Sequence, residues 1–411
     1  MFGQDAMIIG SESVAKSLLD KRSTTFSGRL SLNAHSETGL DCNTGFIGCN
    51  DTWRLHRRMH HDAFRREAVP RYHSSQMRRV HILMDNLLER PELFEEHLQT
   101  FSASIILSVV YGYEATSSTN PLISLVERVD KLVIENIVSF EVVVAAIFPF
   151  LLKAPTWIPD FGVKKKISCI RARVYEAAEA PFKYAQDALM QGTVGISMVS
   201  DVLKNWEDKI KSTNVEDALK GAAFTAYTAD AETTTSVLLT FMYLMAVHPN
   251  VQKRMQDQLE ATIGTTRMPA LEDRQSLPLV DAVLGETIRW SPVVPFNIPH
   301  RVTADEVYEG FFIPKGSPHY REIFYDPTKY VNPEHFDPDR FLHSDGTLND
   351  DTSCNMIFGF GRRVCPGRYL ADNSIWLVMT SILSMFNISK AEGEYGEDIE
   401  VAPQWVSGVT T

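Results

Sequence analysis

Paired cysteines are missing from this chain. Its five cysteines (Cys42, Cys49, Cys169, Cys354 and Cys365) are odd in number and form no Cys-x-x-Cys. That excludes a disulfide framework or a zinc ribbon and points to a reducing compartment. Positive charge is not in excess: a formal net charge of −12 argues against a nucleic-acid partner. No apolar run suits a membrane span. Val142–Leu152 falls short of the roughly 20 residues a helix needs to cross a bilayer, and Ala222–Val247 carries Asp230 and Glu232 near its middle, where charge is costly in lipid. The start, Met1-Phe-Gly-Gln-Asp, lacks the basic region of a signal peptide, so Asn50-Asp-Thr52 and Asn387-Ile-Ser389 read as chance sequons. Repeats, low-complexity tracts and domain linkers are absent as well. The 411 residues, 44% hydrophobic and 22% charged, suit a large globular core. They are read as one domain, although length alone suggests two or three.

Periodicity predicts a mainly α architecture with a minor sheet component. Phe2–Ile9 reads as a short strand, Ser11–Asp20 as a short helix and Ser27–Asn50 as a loop region. Helical spacing follows over Thr52–Arg66, Ser74–Leu88, Pro91–Tyr113, Pro121–Ile137, Lys164–Gln191, Ser197–Lys211, Val215–Val247, Val251–Ile263 and Pro278–Trp290, with a break at Lys153–Gly162. Arg301–Ile313 alternates like a small hairpin. Asp326–Asn355 is long and irregular, as functional segments tend to be.

The most informative stretch is Phe358-Gly-Phe-Gly361-Arg-Arg363-Val-Cys365-Pro-Gly367. Phe358 can shield a sulfur from water, and Gly361 and Gly367 permit a tight hairpin around it. Pro366 stiffens the loop. Tyr369–Met385 has helical spacing, so its N-terminal amides would point back at the loop and favour a thiolate. Such a sulfur suits an axial iron ligand.

This pattern, Phe-x-x-Gly-x-Arg-x-Cys-x-Gly, resembles the haem-binding signature of the cytochrome P450 family at every fixed position. The resemblance implies the P450 fold, mainly α with small β-sheets, holding haem b on the Cys365 thiolate with Phe358 and Gly367 beside it. Glu286-Thr-Ile-Arg289 alone could be an exposed i,i+3 salt bridge. With Pro338-Asp-Arg340-Phe341 it is similar to the family's structural triad, Glu286, Arg289 and Arg340. Ala229-Asp230-Ala231-Glu232-Thr233-Thr234 looks like the oxygen-activating motif, with Ala229 at the haem, Glu232 as the acid and Thr233 as the alcohol. The family's glycine position here holds Asp230, an added carboxylate that either alters proton delivery or points away. Trp53-x-x-x-Arg57, Arg363 and Arg301 (in Pro-His-Arg-Val) match positions where the family holds the haem propionates.

The implied activity is insertion of one oxygen atom from O2 into a small apolar organic substrate, by a monomer, with electrons from NADPH through cytochrome P450 reductase. Tyr308-Glu-Gly-Phe-Phe-Ile-Pro-Lys-Gly316 and Phe358–Asp372 resemble fungal members that oxidise aromatic secondary metabolites, of the O-methylsterigmatocystin oxidoreductase type. Pocket candidates are Ala34–Cys49, Ser139–Pro159, Val293–Phe296 and Ser407–Val409. Eight arginines and two acids between Trp53 and His81 suggest a docking patch for an acidic electron donor. Relative to anchored members on the cytosolic face of the endoplasmic reticulum, the chain reads as truncated at both ends and as peripheral or cytoplasmic. The stretch Lys315–Pro318 is short enough to clip a central strand. Two other readings remain at this point: a catalytically silent haem-binding remnant, and a haem-thiolate isomerase or dehydratase needing no external electrons.

Overall fold

Residues 215–247 are apolar on nearly every face, the mark of a helix buried all round, and the rest of the chain is arranged about them. The computed structural model describes residues 6–29, 33–115, 119–125, 128–129, 150, 163–206, 213–349, 351, 353–393 and 397–401. Among these the longer helices are α1 (Asp51–Phe64), α2 (His73–Glu89), α3 (Phe94–Tyr111), α4 (Val163–Met190), α5 (Met198–Asn205), α6 (Thr213–Val247), α7 (Pro249–Ile263), α8 (Pro278–Trp290) and α9 (Arg368–Met385). The 35 residues of α6 span about 50 Å at 1.5 Å per residue. They pack against α3, α1, α4 and α9, burying Leu219, Ala222, Tyr227, Leu238, Phe241 and Met245. Proline opens both α7 and α8, where its missing N–H costs no hydrogen bond.

The sheet component is small. Strands β1 (Met7–Ile9), β2 (Gly28–Arg29), β3 (His300–Arg301) and β6 (Pro318–Arg321) form one sheet in the order β1-β6-β3-β2, and β4 (Glu306–Tyr308) pairs with β5 (Phe311–Ile313) in a hairpin. The hairpin turns through Glu309 and Gly310, both at positive φ, as a tight two-residue connection requires. β6 lies between β1 and β3, so the short Lys315–Pro318 stretch still delivers a central strand. Ser11–Asp20 is not one regular helix. It divides into Glu12–Ala15 and a π-helical segment, Lys16–Lys21. Ser27–Asn50 is more ordered than its mixed composition suggests, containing β2, a helix over Asn33–Thr38 and a 3-10 turn at Leu40–Cys42. Long-range pairing of Gly28 with Arg301 is invisible to local periodicity. Most of Pro121–Ile137 and all of Lys153–Gly162 lie outside the described residues. No described helix is long and apolar enough to cross a membrane.

The irregular stretch after Asp326 is pinned to α8 by a buried charge cluster. Arg289 donates to both carboxylate oxygens of Glu286, at 2.7 and 2.9 Å, and both side chains are almost fully buried. Arg340 adds a longer contact to Glu286 Oε1 at 3.4 Å, and the Asp337 amide donates to the same oxygen at 2.8 Å. Remaining guanidinium N–H groups reach the carbonyls of Phe324, His335 and Asn332. An exposed pair would contribute little; this one is internal and fully bonded. Glu286→Ala strands Arg289 in the core, so denaturant unfolding should show a loss of about 3–5 kcal/mol. A loss below about 1 kcal/mol, the scale of surface pairs, would contradict the bracing role.

Candidate functional site

The loop before α9 closes on itself. The Cys365 amide donates to the Phe358 carbonyl at 2.6 Å, with shorter-range bonds from Gly359 to Met356 and from Val364 to Gly361. Gly359 and Gly361 have φ of 83° and 52°, the left-handed region that favours glycine. A Cβ on Gly361 would lie 2.1 Å from the Leu19 carbonyl oxygen, so the absence of a side chain lets this turn seat on the π-helical segment. Gly367 differs from expectation. Its backbone is ordinary, and a Cβ there would lie 4.0 Å from the Cys365 sulfur; Gly359 supplies the second special turn instead.

Cys365 lines a cavity of about 320 Å³, within the range of small-molecule sites. Burial pushes its thiol above the usual value and a carboxylate at Asp230 adds to this, while the Gly367 amide, Arg57 and Arg368 pull the other way. Phe358, Pro366, Gly367 and Ile357 surround the sulfur's side of the cavity, and Phe64, Ile106 and Val237 are among its apolar walls.

Cations gather beside the same loop, and among the described residues Arg29, Arg57 and Arg363 form no pair with a carboxylate; Arg363 also donates to the Cys49 sulfur at 3.4 Å. The Asn50 side chain caps α1 by accepting from the Trp53 amide, which places Trp53 and Arg57 one helical turn apart on one face. Arg57 donates to the Val364 carbonyl at 2.8 Å. The Arg363 guanidinium lies over the Trp53 ring at 4.6 Å and bonds the carbonyls of Ser27, Thr44 and Ile47. Arg29 is anchored on the carbonyls of Ile298 and Pro299. Burial depresses all three arginines, Arg29 to about 9 with Arg363 adding repulsion. Among the described residues the buried atoms Trp53 Nε1 and Arg29 Nε have no hydrogen-bond partner. Half-buried cations and orphaned donors facing one cavity suit an anionic group that would neutralise them.

Two contributors escaped the sequence reading. Arg29 and His300 sit opposite each other in the β2–β3 pair and both line the cavity. The structure turns Arg301 away: it is exposed and is not among the cavity's lining residues. Successive strand residues face opposite sides, so His300, not its neighbour, looks inward. The tripeptide Pro-His-Arg held both candidates, and only the strand register separates them.

On the opposite wall, α6 presents Ala229, Asp230, Thr233 and Thr234. Thr233 Oγ1 donates to the Ala229 carbonyl at 2.8 Å, the bond back to residue i−4 expected of such threonines. Glu232 does not line the cavity, whereas Asp230 does. Thr44, Gly45, Val293 and Val294 come from two of the expected pocket segments; residues 139–149, 151–159 and 407–409 lie outside the described residues. The arginine-rich stretch is largely neutralised internally. Arg54, Arg65, Arg71, Arg78 and Arg79 pair with Asp51, Asp62, Asp201 and Glu114, and Arg58 stacks on Trp206.

Comparison with known proteins agrees with this geometry. The family model for Cytochrome P450 matches residues 1–409. Cytochrome P450 monooxygenase COX2 of Coprinopsis cinerea is 34% identical over 100% of this chain and 79% of its own length. Cytochrome P450 monooxygenase 136 of Postia placenta is 31% identical with the same coverage. Cytochrome P450 monooxygenase ple1 of Rhodocybe pseudopiperita is 33% identical over 97% of this chain and 77% of its own.

The glycine contrast is testable. Gly361→Ala should cost about 1–3 kcal/mol of stability, whereas Gly367→Ala should stay within about 0.5 kcal/mol in denaturant titrations of the cofactor-free chain. Equal losses would contradict the loop geometry described.

Proposed function

This chain belongs to the cytochrome P450 family and is a haem-thiolate monooxygenase, and we propose that residues 1–411 act as one domain and a monomer on a small, largely apolar substrate. The family works with a redox partner and O2. The reading takes NADPH as the electron source, cytochrome P450 reductase as the partner, and the cytosolic face of the endoplasmic reticulum as the place of action. An aromatic secondary metabolite fits the apolar walls. The observation that carries the reading is the sharing of one cavity by an enclosed sulfur and half-buried arginines that, among the described residues, pair with no carboxylate.

The residues fit the cofactor. Cys365 would supply the sulfur that holds the iron, as a thiolate once coordinated. Trp53, Arg57 and Arg363 would hold the propionates through charge-assisted bonds, with Arg29 and His300 added from the sheet. Bound on that thiolate, haem iron supplies dioxygen activation, the sulfur's electron density favouring O–O cleavage. Phe358 keeps water from the sulfur, and Gly367 leaves room beside it. Ala229 lines the wall one turn before Thr233. Thr233 holds a proton at its hydroxyl, and Glu232, the adjoining acid, is read as its resupply. Glu286, Arg289 and Arg340 act at a distance, by holding the irregular stretch against α8.

Reduced protein exposed to carbon monoxide should show the absorbance of a thiolate-ligated ferrous haem, and Cys365→Ala should abolish haem binding. Thr233→Ala should retain haem but release several-fold more peroxide per NADPH consumed. Unchanged coupling in that variant would refute the proton-holding role.

A further inference from the structure

Asp230 is the carboxylate this cavity does not explain. It lines the cavity from α6, where the Thr234 hydroxyl donates to its Oδ1 at 3.3 Å. Among the described residues it forms no ion pair. The cavity's arginines are tied elsewhere: Arg29 to Ile298 and Pro299, Arg57 to Val364, Arg363 to Ser27 and Ile47, and Arg321 to Met356 and Ile357. Burial lifts the carboxyl to about 7, the cost of keeping a charge in apolar surroundings without a counter-ion.

Elsewhere the chain treats a buried carboxylate differently. Glu286 accepts from Arg289, Arg340 and a backbone amide. Aspartate is also a poor residue for a helix interior, so Asp230 adds little to α6 itself. A neutral donor, Thr234, already occupies one of its oxygens; a second neutral donor would leave the charge uncompensated, whereas a cation removes it.

Resting on the monooxygenase reading of this site, we propose that Asp230 selects the substrate: its carboxylate pairs with the cationic nitrogen of an otherwise apolar amine. The cavity then combines two kinds of recognition. Its hydrocarbon walls, including Phe64, Ile106, Val237 and Val293, take the apolar body, and Asp230 fixes the one charged group relative to Cys365. Apolar contact alone orients a ligand weakly; one buried charge pair sets which end faces the sulfur.

Matched probes test this without knowledge of the natural substrate. Decyltrimethylammonium carries the charge but cannot ligate iron, and decanol and decanoate provide neutral and anionic chains of the same length. Calorimetric titration of the haem-loaded protein in mildly alkaline buffer should show the ammonium probe binding at least about tenfold tighter than decanol, with decanoate weakest. Asp230→Asn should remove that preference, and Asp230→Glu should retain most of it. Equal preference in Asp230→Asn and the parent, or decanol binding as tightly as the ammonium probe in the parent, overturns the assignment. Haem content per chain, measured in the same samples, judges the cofactor reading separately, and the probes are compared only in samples fully loaded with haem.

Discussion

The hydrogen bond from the Cys365 amide to the Phe358 carbonyl is the closure around which the site is organised. It turns the eight residues from Phe358 to Cys365 back on themselves and leaves the Cys365 side chain among those lining the cavity. Every neighbouring element then has to meet that loop. The π-helical segment receives Gly361, α1 receives the Val364 carbonyl through Arg57, and Ser27, Thr44 and Ile47 receive Arg363. A backbone this constrained cannot share its position with a mobile sulfur. The loop's contacts set where the sulfur sits.

Electrostatics divide the molecule into two kinds of buried charge. The Glu286–Arg289–Arg340 cluster is satisfied within the chain and is therefore structural. Arg29, Arg57 and Arg363 are bonded mainly to neutral carbonyls, and among the described residues none of them pairs with a carboxylate. Asp230 presents the reverse case in the same cavity. The distinction rests on partners and burial.

Much of this was legible in the sequence. Pro278–Trp290 matches α8 residue for residue, and Val215–Val247 lies within α6, because long apolar periodicity outweighs local exceptions. The cysteine loop was legible because glycine, proline and cysteine at fixed spacing have few other uses. Three features were not. Gly359 was overlooked because a glycine's φ cannot be read from its identity. His300 was passed over for Arg301 because guanidinium is the commoner partner of carboxylates, and strand register decides the matter. The neutralised Arg71, Arg78 and Arg79 depend on Asp201 and Glu114, acids remote in sequence.

The central claim is that the Cys365 sulfur binds the iron of a haem. X-ray absorption at the iron edge of the purified, haem-loaded protein tests it most directly. The account predicts one sulfur among the nearest neighbours of iron, absent from any Cys365→Ser protein reconstituted with haem. A first shell made only of nitrogen and oxygen in the unaltered protein would contradict it.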